Sequence, residues 1–242
     1  MRLPRLLVTG FGPFPGMPIN PSATLARRIA ASPRLRRTIG TAPTLLILKT
    51  SYAAIPEALE PALAQRPDAV LMIGVARRAT RIRVESRASN RASRLFPDAS
   101  GAVARDLTLD RGGPSGRRSA EATRILVPLR TVGAIASRDA GRYLCNASYY
   151  RVLAEGCPAI FLHIPPLPDP SRPRRSRWRP RRRPLDAWTD AFVDAALILL
   201  APARRLTAHL EKGRGPYAAG RTSLGMNAPS VRAAASNANN PM

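Results

Sequence analysis

Two hydrophobic patterns alternate over the first 165 residues of the chain. Short apolar runs that end at glycine, proline or threonine indicate buried strands, and the segments between them carry apolar residues at helical spacing. The predicted strands are 5–10, 44–50, 69–74, 81–89 and 159–165. The predicted helices are 21–32, 52–65, 119–133 and 142–155. This alternation predicts an α/β domain with a largely parallel sheet that is covered on both faces.

The pattern changes after Pro165. Residues 171–183 combine prolines with eight arginines, which predicts an exposed loop. Residues 185–200 form an amphipathic pattern, which predicts a helix with one buried stripe. We therefore expect a single domain over residues 1–204. The small and polar residues of 205–242 predict a disordered tail.

The net charge of +24 comes almost entirely from arginine, because Lys49 and Lys212 are the only lysines. Such a bias of arginine over lysine, together with abundant alanine, is typical of a GC-rich genome. A basic surface attracts polyanions without specificity. No nucleic-acid-binding motif accompanies the charge, so we expect no specific nucleic-acid partner.

Cysteine and histidine are scarce. The chain has Cys145, Cys157, His163 and His209, with no CxxC or HExxH spacing, which argues against a disulfide framework and against a metal site. No apolar run approaches the roughly 20 residues that cross a bilayer, and the first apolar run is too short for a signal peptide. We expect a cytoplasmic protein with no membrane partner and no metal.

Cys145 lies in the segment SRDAGRYLCNASYY, residues 137–150. A strand-like AIAS and a turn at DAG place it in the first turn of the following helix. Free amides and the helix dipole would favour a thiolate there, and the same amides would stabilise an oxyanion. The alternative is an inert core cysteine, since free cysteines are commonly buried. Position alone favours this alternative.

His163 and Glu85 favour the nucleophile over the inert core cysteine. His163 lies near the end of an apolar strand, where α/β proteins gather their active-site groups, although a lone strand histidine is often a core residue. A cysteine at a helix start and a histidine at a strand end are the two parts of a thiolate–imidazole pair. Glu85 in RIRVES would orient the imidazole as the third member. The alternative for Glu85 is a solvated strand residue paired with a nearby arginine.

The loop GFGPFPG follows the first strand at residues 10–16. It lacks the third glycine of a dinucleotide-binding motif, and Pro13 removes an amide that would face phosphate, so we expect no nicotinamide or flavin cofactor. The loop instead offers Phe11 and Phe14 on a stiff turn. These rings would suit an apolar pocket for a small flat group, or would serve as core residues.

Four segments, in chain order, resemble motifs of the pyroglutamyl peptidase I (pyrrolidone-carboxylate peptidase) family of cysteine peptidases. They are VTGFGPFPGMPINPS, RVESRASN, SRDAGRYLCN with Tyr150, and FLHIP. The resemblance spans roughly residues 5–200. It implies an α/β/α sandwich around a mixed sheet, a cytosolic location, no cofactor and, in many members, homotetramers. It also implies hydrolase activity that removes an N-terminal pyroglutamyl residue from peptides.

The same resemblance assigns roles to individual residues. The family's nucleophile falls on Cys145, its base on His163 and its acidic member on Glu85. The phenylalanines that line the family's ring pocket correspond to Phe11 and Phe14.

The chain departs from the family in the segment GVARRA, residues 74–79. Val75 replaces a glutamine that would contact the lactam, and Arg77 and Arg78 replace glycines. Leu95 stands where an arginine is expected, with Arg94 one place away. We therefore expect intact catalytic residues and altered substrate recognition.

Three hypotheses follow. The first is a thiol protease that cleaves N-terminal pyroglutamyl groups through a thioester acyl-enzyme. The second is a hydrolase of another small N-acyl or lactam amide. The third is a non-catalytic binding homologue that retains the fold. The presence of all three candidate catalytic residues argues against the third.

Overall fold

The computed structural model describes residues 2–167 and 184–212. Within these residues, six strands form one sheet and two short strands form a separate antiparallel pair. In chain order the strands are β1 Leu6–Phe11, β2 Thr44–Leu48, β3 Ala69–Val75, β4 Arg83–Glu85, β5 Arg87–Ser89, β6 Gly116–Arg118, β7 Ile135–Ser137 and β8 Ala159–Ile164. The main sheet has the order β2-β1-β3-β8-β4-β7, and β5 pairs with β6.

Helices connect most of these strands. They are α1 Pro21–Ala30, α2 Pro33–Ile39, α3 Glu60–Ala64, α4 Ala122–Leu129, α5 Leu144–Leu153 and α6 Pro184–Lys212. A π-helical turn, Ile55–Leu59, precedes α3, and a 3-10 turn, Arg130–Val132, follows α4.

The main sheet is parallel except where β4 runs antiparallel to β8. One face packs against α1, α2, α4 and α6, and the other packs against α3 and α5. The predicted three-layer α/β/α sandwich around a largely parallel mixed sheet is therefore confirmed. Continuous apolar runs in β1, β3 and β8 follow from this arrangement, because helices cover both faces of these central strands.

Local signals account for the helix that follows β1. The Asn20 side chain accepts a hydrogen bond from the Ser22 amide, and Pro21 occupies the first helical position, where no amide hydrogen is needed. Leu25 and Ile29 face the sheet and are fully buried. The helix start lies directly beside the end of β1, which places the intervening loop at the carboxyl edge of the sheet.

The structure corrects the predictions in three places. Residues 81–89 are two strands rather than one, because the chain leaves the main sheet at Ser86 and β5 pairs with β6 instead. Residues 116–118 form β6, a strand that is not among those predicted from the apolar pattern. Helix α6 continues to Lys212, into the segment predicted as a disordered tail from residue 205. The Arg-rich segment 171–183 and the rest of the predicted tail lie outside the described residues.

Candidate active site

The pairing of β4 with β8 places Glu85 and His163 on one face of the sheet. Glu85 lies opposite Phe161, so His163 is its diagonal neighbour across the antiparallel pair. The His163 Nδ1 lies 2.9 Å from the Glu85 Oε1. Glu85 is fully buried and His163 is 6% exposed. The alternative of a solvated Glu85 paired with an arginine is therefore wrong.

Cys145 approaches this pair from helix α5. It is the second residue of the helix, in the first turn as predicted, and its thiol lies close enough to His163 to raise the pKa of the imidazole. Since Nδ1 faces Glu85, Nε2 is the imidazole nitrogen that remains for the thiol. Cys145, His163 and Glu85 thus lie in one row that runs from the helix start into the sheet.

Burial and hydrogen bonding have opposite effects on His163. Burial lowers its pKa, but hydrogen bonds to Cys145 and Glu85 and their negative charges raise the pKa more strongly, to about 9. The imidazolium is therefore the main form at neutral pH. A cation held between a thiol sulfur and a carboxylate is the arrangement that stabilises a thiolate nucleophile.

Gly74 makes room for Cys145 and was not identified from the sequence. A Cβ atom at this position would lie 2.9 Å from the Cys145 Sγ and 2.7 Å from the Phe161 ring. Only glycine allows the helix start to come this close to β3. A glycine inside a strand is a signal of such close approach.

Asn146 is a second residue that the sequence analysis did not single out. Its side chain accepts a hydrogen bond from the Ser89 amide at 2.8 Å and donates to the carbonyls of Ser89 and Arg91, both at 2.9 Å. These bonds tie the start of α5 to the segment that follows Glu85. The signal in the sequence is an asparagine inside a helix, where it is unfavourable unless its side chain has partners.

Cys145 opens onto a cavity of about 410 Å³ at the carboxyl edge of the sheet. The predicted pocket residues Phe11, Phe14 and Val75 line this cavity, and Val75 also packs against the core on the opposite face of the sheet. The remaining lining residues are Pro15, Asn20, Thr50, Arg77, Phe96, Pro97, Asp98, Tyr143 and Leu144.

The loop that carries Phe11 and Phe14 is fixed by hydrogen bonds. The Gly12 carbonyl accepts one from the Asn20 side chain at 2.8 Å and one from the Thr50 hydroxyl at 3.0 Å. The Ser22 hydroxyl accepts a bond from the Phe11 amide at 3.0 Å. The aromatic wall of the cavity is therefore held in place before any ligand binds.

The departures from the family motifs lie at and near this cavity. The Arg77 guanidinium carbon lies 5.7 Å from the centre of the Phe14 ring. Leu95 is 81% exposed and does not line the cavity, whereas Arg94 bonds to the carbonyls of Ala104 and Arg105. This part of the cavity wall thus combines an apolar side chain, that of Val75, with the cation of Arg77 beside Phe14.

Within the described ranges, no three His, Cys, Asp or Glu side chains are grouped to bind a metal ion. The helices in the same ranges include none that is long and apolar enough to cross a membrane.

Comparison with known proteins gives a consistent assignment. The family model described as pyroglutamyl peptidase matches residues 4–176. A pyrrolidone-carboxylate peptidase of Gloeobacter violaceus is 33% identical in an alignment of 174 residues that covers 68% of this chain and 83% of the relative. One from Pyrococcus furiosus is 31% identical in an alignment of 176 residues that covers 68% of this chain and 82% of the relative.

Solved structures agree with the sequence relatives. The pyrrolidone carboxyl peptidase of Thermus thermophilus matches with a TM-score of 0.67 and 32% identity, over 81% of this chain and all of that chain. Pyroglutamyl peptidase I of Bacillus amyloliquefaciens also gives a TM-score of 0.67, with 26% identity, over 82% of this chain and 97% of that chain. The resemblance found in the sequence motifs is confirmed, and the chain belongs to the pyroglutamyl peptidase family of cysteine-type exopeptidases.

Proposed function

We propose that this chain removes an N-terminal pyroglutamyl (5-oxoproline) residue from peptides through a thioester on Cys145. The observation that carries the proposal is the row of Cys145, His163 and the buried Glu85, in which His163 bonds to Glu85, at the wall of an apolar cavity. Family membership supports this substrate class, since the relatives are pyrrolidone-carboxylate peptidases.

Acylation begins at the Cys145 thiolate. Its sulfur attacks the carbonyl carbon that follows the lactam ring, and a C–S bond forms as the carbonyl oxygen takes up negative charge. Collapse of this intermediate breaks the C–N bond, and the His163 imidazolium gives its proton to the leaving amine. The raised pKa of His163, about 9, keeps this proton available at neutral pH.

The start of α5 supplies donors for the oxyanion. Tyr143, the residue before the helix, makes no side-chain cap, and the Ala147 amide is the first that bonds back, to the Tyr143 carbonyl at 3.0 Å. The amides of residues 144–146 are therefore not used within the helix. They lie beside the nucleophile, where amide donors and the helix dipole stabilise negative charge.

Deacylation returns the site to its starting state. The His163 imidazole, now neutral, takes a proton from water, and the oxygen of that water attacks the thioester carbonyl. The C–S bond breaks, pyroglutamate leaves, and the Cys145 thiolate forms again beside the imidazolium. Glu85 holds the imidazole in one orientation through both steps and stabilises its positive form.

The cavity suits an uncharged lactam ring. Phe11 and Phe14 supply flat apolar walls, and the Phe11 side chain is 4% exposed, which gives the ring a dry surface to pack on. A lactam has no charge for a carboxylate to neutralise. Among the described residues of the wall, only Asp98 carries a carboxylate, and it is already bonded to backbone amides and to the Ser100 hydroxyl.

The second candidate function keeps this chemistry and changes the acyl group. It is favoured by Val75, which places an apolar side chain at the end of β3, where the family motif has a glutamine. Without that glutamine amide, pyroglutamate lacks a specific hydrogen bond, so another small N-acyl or lactam amide would be at less of a disadvantage in binding.

Both free thiols would require a reducing compartment, and we therefore also propose a cytoplasmic location.

One experiment separates these candidates. Purified enzyme is incubated with a pyroglutamyl peptide and with matched N-acetyl and prolyl peptides of the same remaining sequence. Chromatography then detects the shortened peptide and the released acid. The proposal predicts that only the pyroglutamyl peptide is shortened at a high rate. Faster release of an N-acyl group would favour the second candidate, and no product from any peptide by folded enzyme would favour a binding homologue.

A further inference from the structure

Arg77 gives the cavity a positive charge that the proposed chemistry does not use. Its guanidinium lies over the Phe14 ring, with 5.7 Å from its central carbon to the ring centre. The neighbouring loop passes close to it, since a Cβ atom at Gly16 would lie 3.2 Å from the Arg77 Nη2. The charge is therefore held at one place on the cavity wall rather than directed freely into solvent.

The Arg77 side chain forms no ion pair within residues 2–167 and 184–212. Among the described residues that line the same cavity, Asp98 is the one that carries a carboxylate. Its oxygens already accept bonds from the Tyr52 amide at 2.9 Å, from the Ser100 amide and hydroxyl at 2.8 and 2.6 Å, and from the Ala102 amide at 3.0 Å. The Asp98 oxygens are thus occupied by these bonds, and the Arg77 guanidinium remains available to a ligand.

The position of Arg77 relates it to one part of the substrate. Phe11 is buried and forms the inner wall, whereas Phe14 is half-buried and Arg77 is exposed. With the lactam ring against the buried Phe11, the peptide that leaves extends toward the exposed mouth of the cavity. An anion on that leaving peptide is what Arg77 can reach.

We propose that Arg77 selects pyroglutamyl peptides that carry a carboxylate close to the scissile bond on the leaving chain. The inference rests on the proposed function and names its substrate class. The carboxylate has two sources, an acidic side chain in the residue after pyroglutamate, or the free terminal carboxylate of a short peptide. A guanidinium binds either one through parallel N–H donors.

The expected size of this substrate preference follows from the exposure of the Arg77 side chain. Exposed ion pairs contribute little to binding, so we expect a preference of about threefold in kcat/KM at low salt. The preference decreases as ionic strength rises, because salt screens charges at the surface.

The test compares wild type, Arg77→Gln and Arg78→Gln. Arg78 is the matched control, since it is the adjacent exposed arginine and does not line the cavity. One substrate pair is pyroglutamyl-Glu amide and pyroglutamyl-Gln amide, which tests the side chain. The other is pyroglutamyl-Ala with a free and with an amidated terminus, which tests the terminal carboxylate. Each result is the ratio of kcat/KM within a pair, so a general loss of activity cancels.

We expect Arg77→Gln to reduce the ratio in at least one pair to about one, and Arg78→Gln to leave both ratios unchanged. Ratios of about one in both pairs for wild type, or equal decreases of the ratios in Arg77→Gln and Arg78→Gln, would overturn the inference while the proposed function stands. Binding of the same peptides to Cys145→Ser protein, with and without Arg77→Gln, is measured by calorimetry and needs no turnover. Loss of preference there supports the inference even if the proposed hydrolysis fails, and absence of any preference overturns it.

Discussion

The Glu85 Oε1 lies 2.9 Å from the His163 Nδ1, at a place where Glu85 is fully buried. The second carboxylate oxygen, Oε2, has no hydrogen-bond partner within the described ranges. A buried carboxylate with few partners is costly unless a cation neutralises it. Glu85 therefore stabilises a protonated His163.

Glu85→Gln removes that charge while keeping the size of the side chain. The pKa of His163, now raised from 6.5 to about 9, falls because one of its causes is lost. We expect kcat/KM to decrease about a hundredfold or more, and the alkaline limb of its pH profile to move to lower pH. The profile is measured with a pyroglutamyl amide.

The exposed Glu57 offers a matched control, and Glu57→Gln should leave the profile unchanged. An alkaline limb that stays in place in Glu85→Gln would show that Glu85 does not set the charge of His163.

The two cysteines should differ in reactivity. Burial, together with the nearby Glu155, raises the pKa of the Cys157 thiol, whereas Cys145 lies beside the His163 imidazolium. Thiolates are the reactive form, so iodoacetamide at neutral pH should label Cys145 about tenfold faster or more. Mass spectrometry of digested protein gives both rates in one sample. Equal rates would indicate that His163 does not activate Cys145.

Gly74→Ala tests the close approach of α5 to the sheet. The added Cβ would lie 2.9 Å from the Cys145 Sγ and 2.7 Å from the Phe161 ring, so the sulfur must move. We expect kcat/KM to decrease at least about tenfold, since small errors in placing a nucleophile are costly. Overpacking should also lower the free energy of unfolding by about 1–3 kcal/mol.

Gly112→Ala is the control for this change, because a Cβ there meets no atom within 4 Å. An active and stable Gly74→Ala protein would mean that α5 is free to shift away from β3.

Val75→Gln tests how the acyl group is recognised. A glutamine at the end of β3 would offer an amide to a lactam, and one hydrogen bond contributes about 1 kcal/mol. We therefore expect kcat/KM for a pyroglutamyl amide to rise about fivefold relative to wild type. Val103→Gln, at an exposed site that does not line the cavity, should have no such effect. A decrease in Val75→Gln would favour a different acyl group as the natural substrate.

The sequence predicts the central strands and the position of Cys145 well, for a physical reason. Strands β1, β3 and β8 are continuous apolar runs because both of their faces are covered, and periodicity detects such runs. Cys145 was placed correctly because turn residues mark the start of α5. These features depend on local sequence alone.

Pairing between distant segments could not be predicted in the same way. The segment RIRVESRAS alternates like one half-exposed strand, yet β4 is inserted between β8 and β7 and buries Glu85. The burial of Glu85 depends on residues that lie far away in the chain. The close approach at Gly74 and the hydrogen bonds of Asn146 also connect segments that are distant in sequence. Only the folded arrangement shows which polar side chains have partners.

The most direct test of the account is turnover of a fluorogenic pyroglutamyl amide by wild type, Cys145→Ala and Cys157→Ala. We predict that wild type and Cys157→Ala release the fluorophore at similar rates and that Cys145→Ala is at least about a thousandfold slower, because it lacks the nucleophile. Circular dichroism confirms that each protein is folded. Release by Cys145→Ala at a rate near that of wild type would contradict the central claim that Cys145 forms the acyl-enzyme.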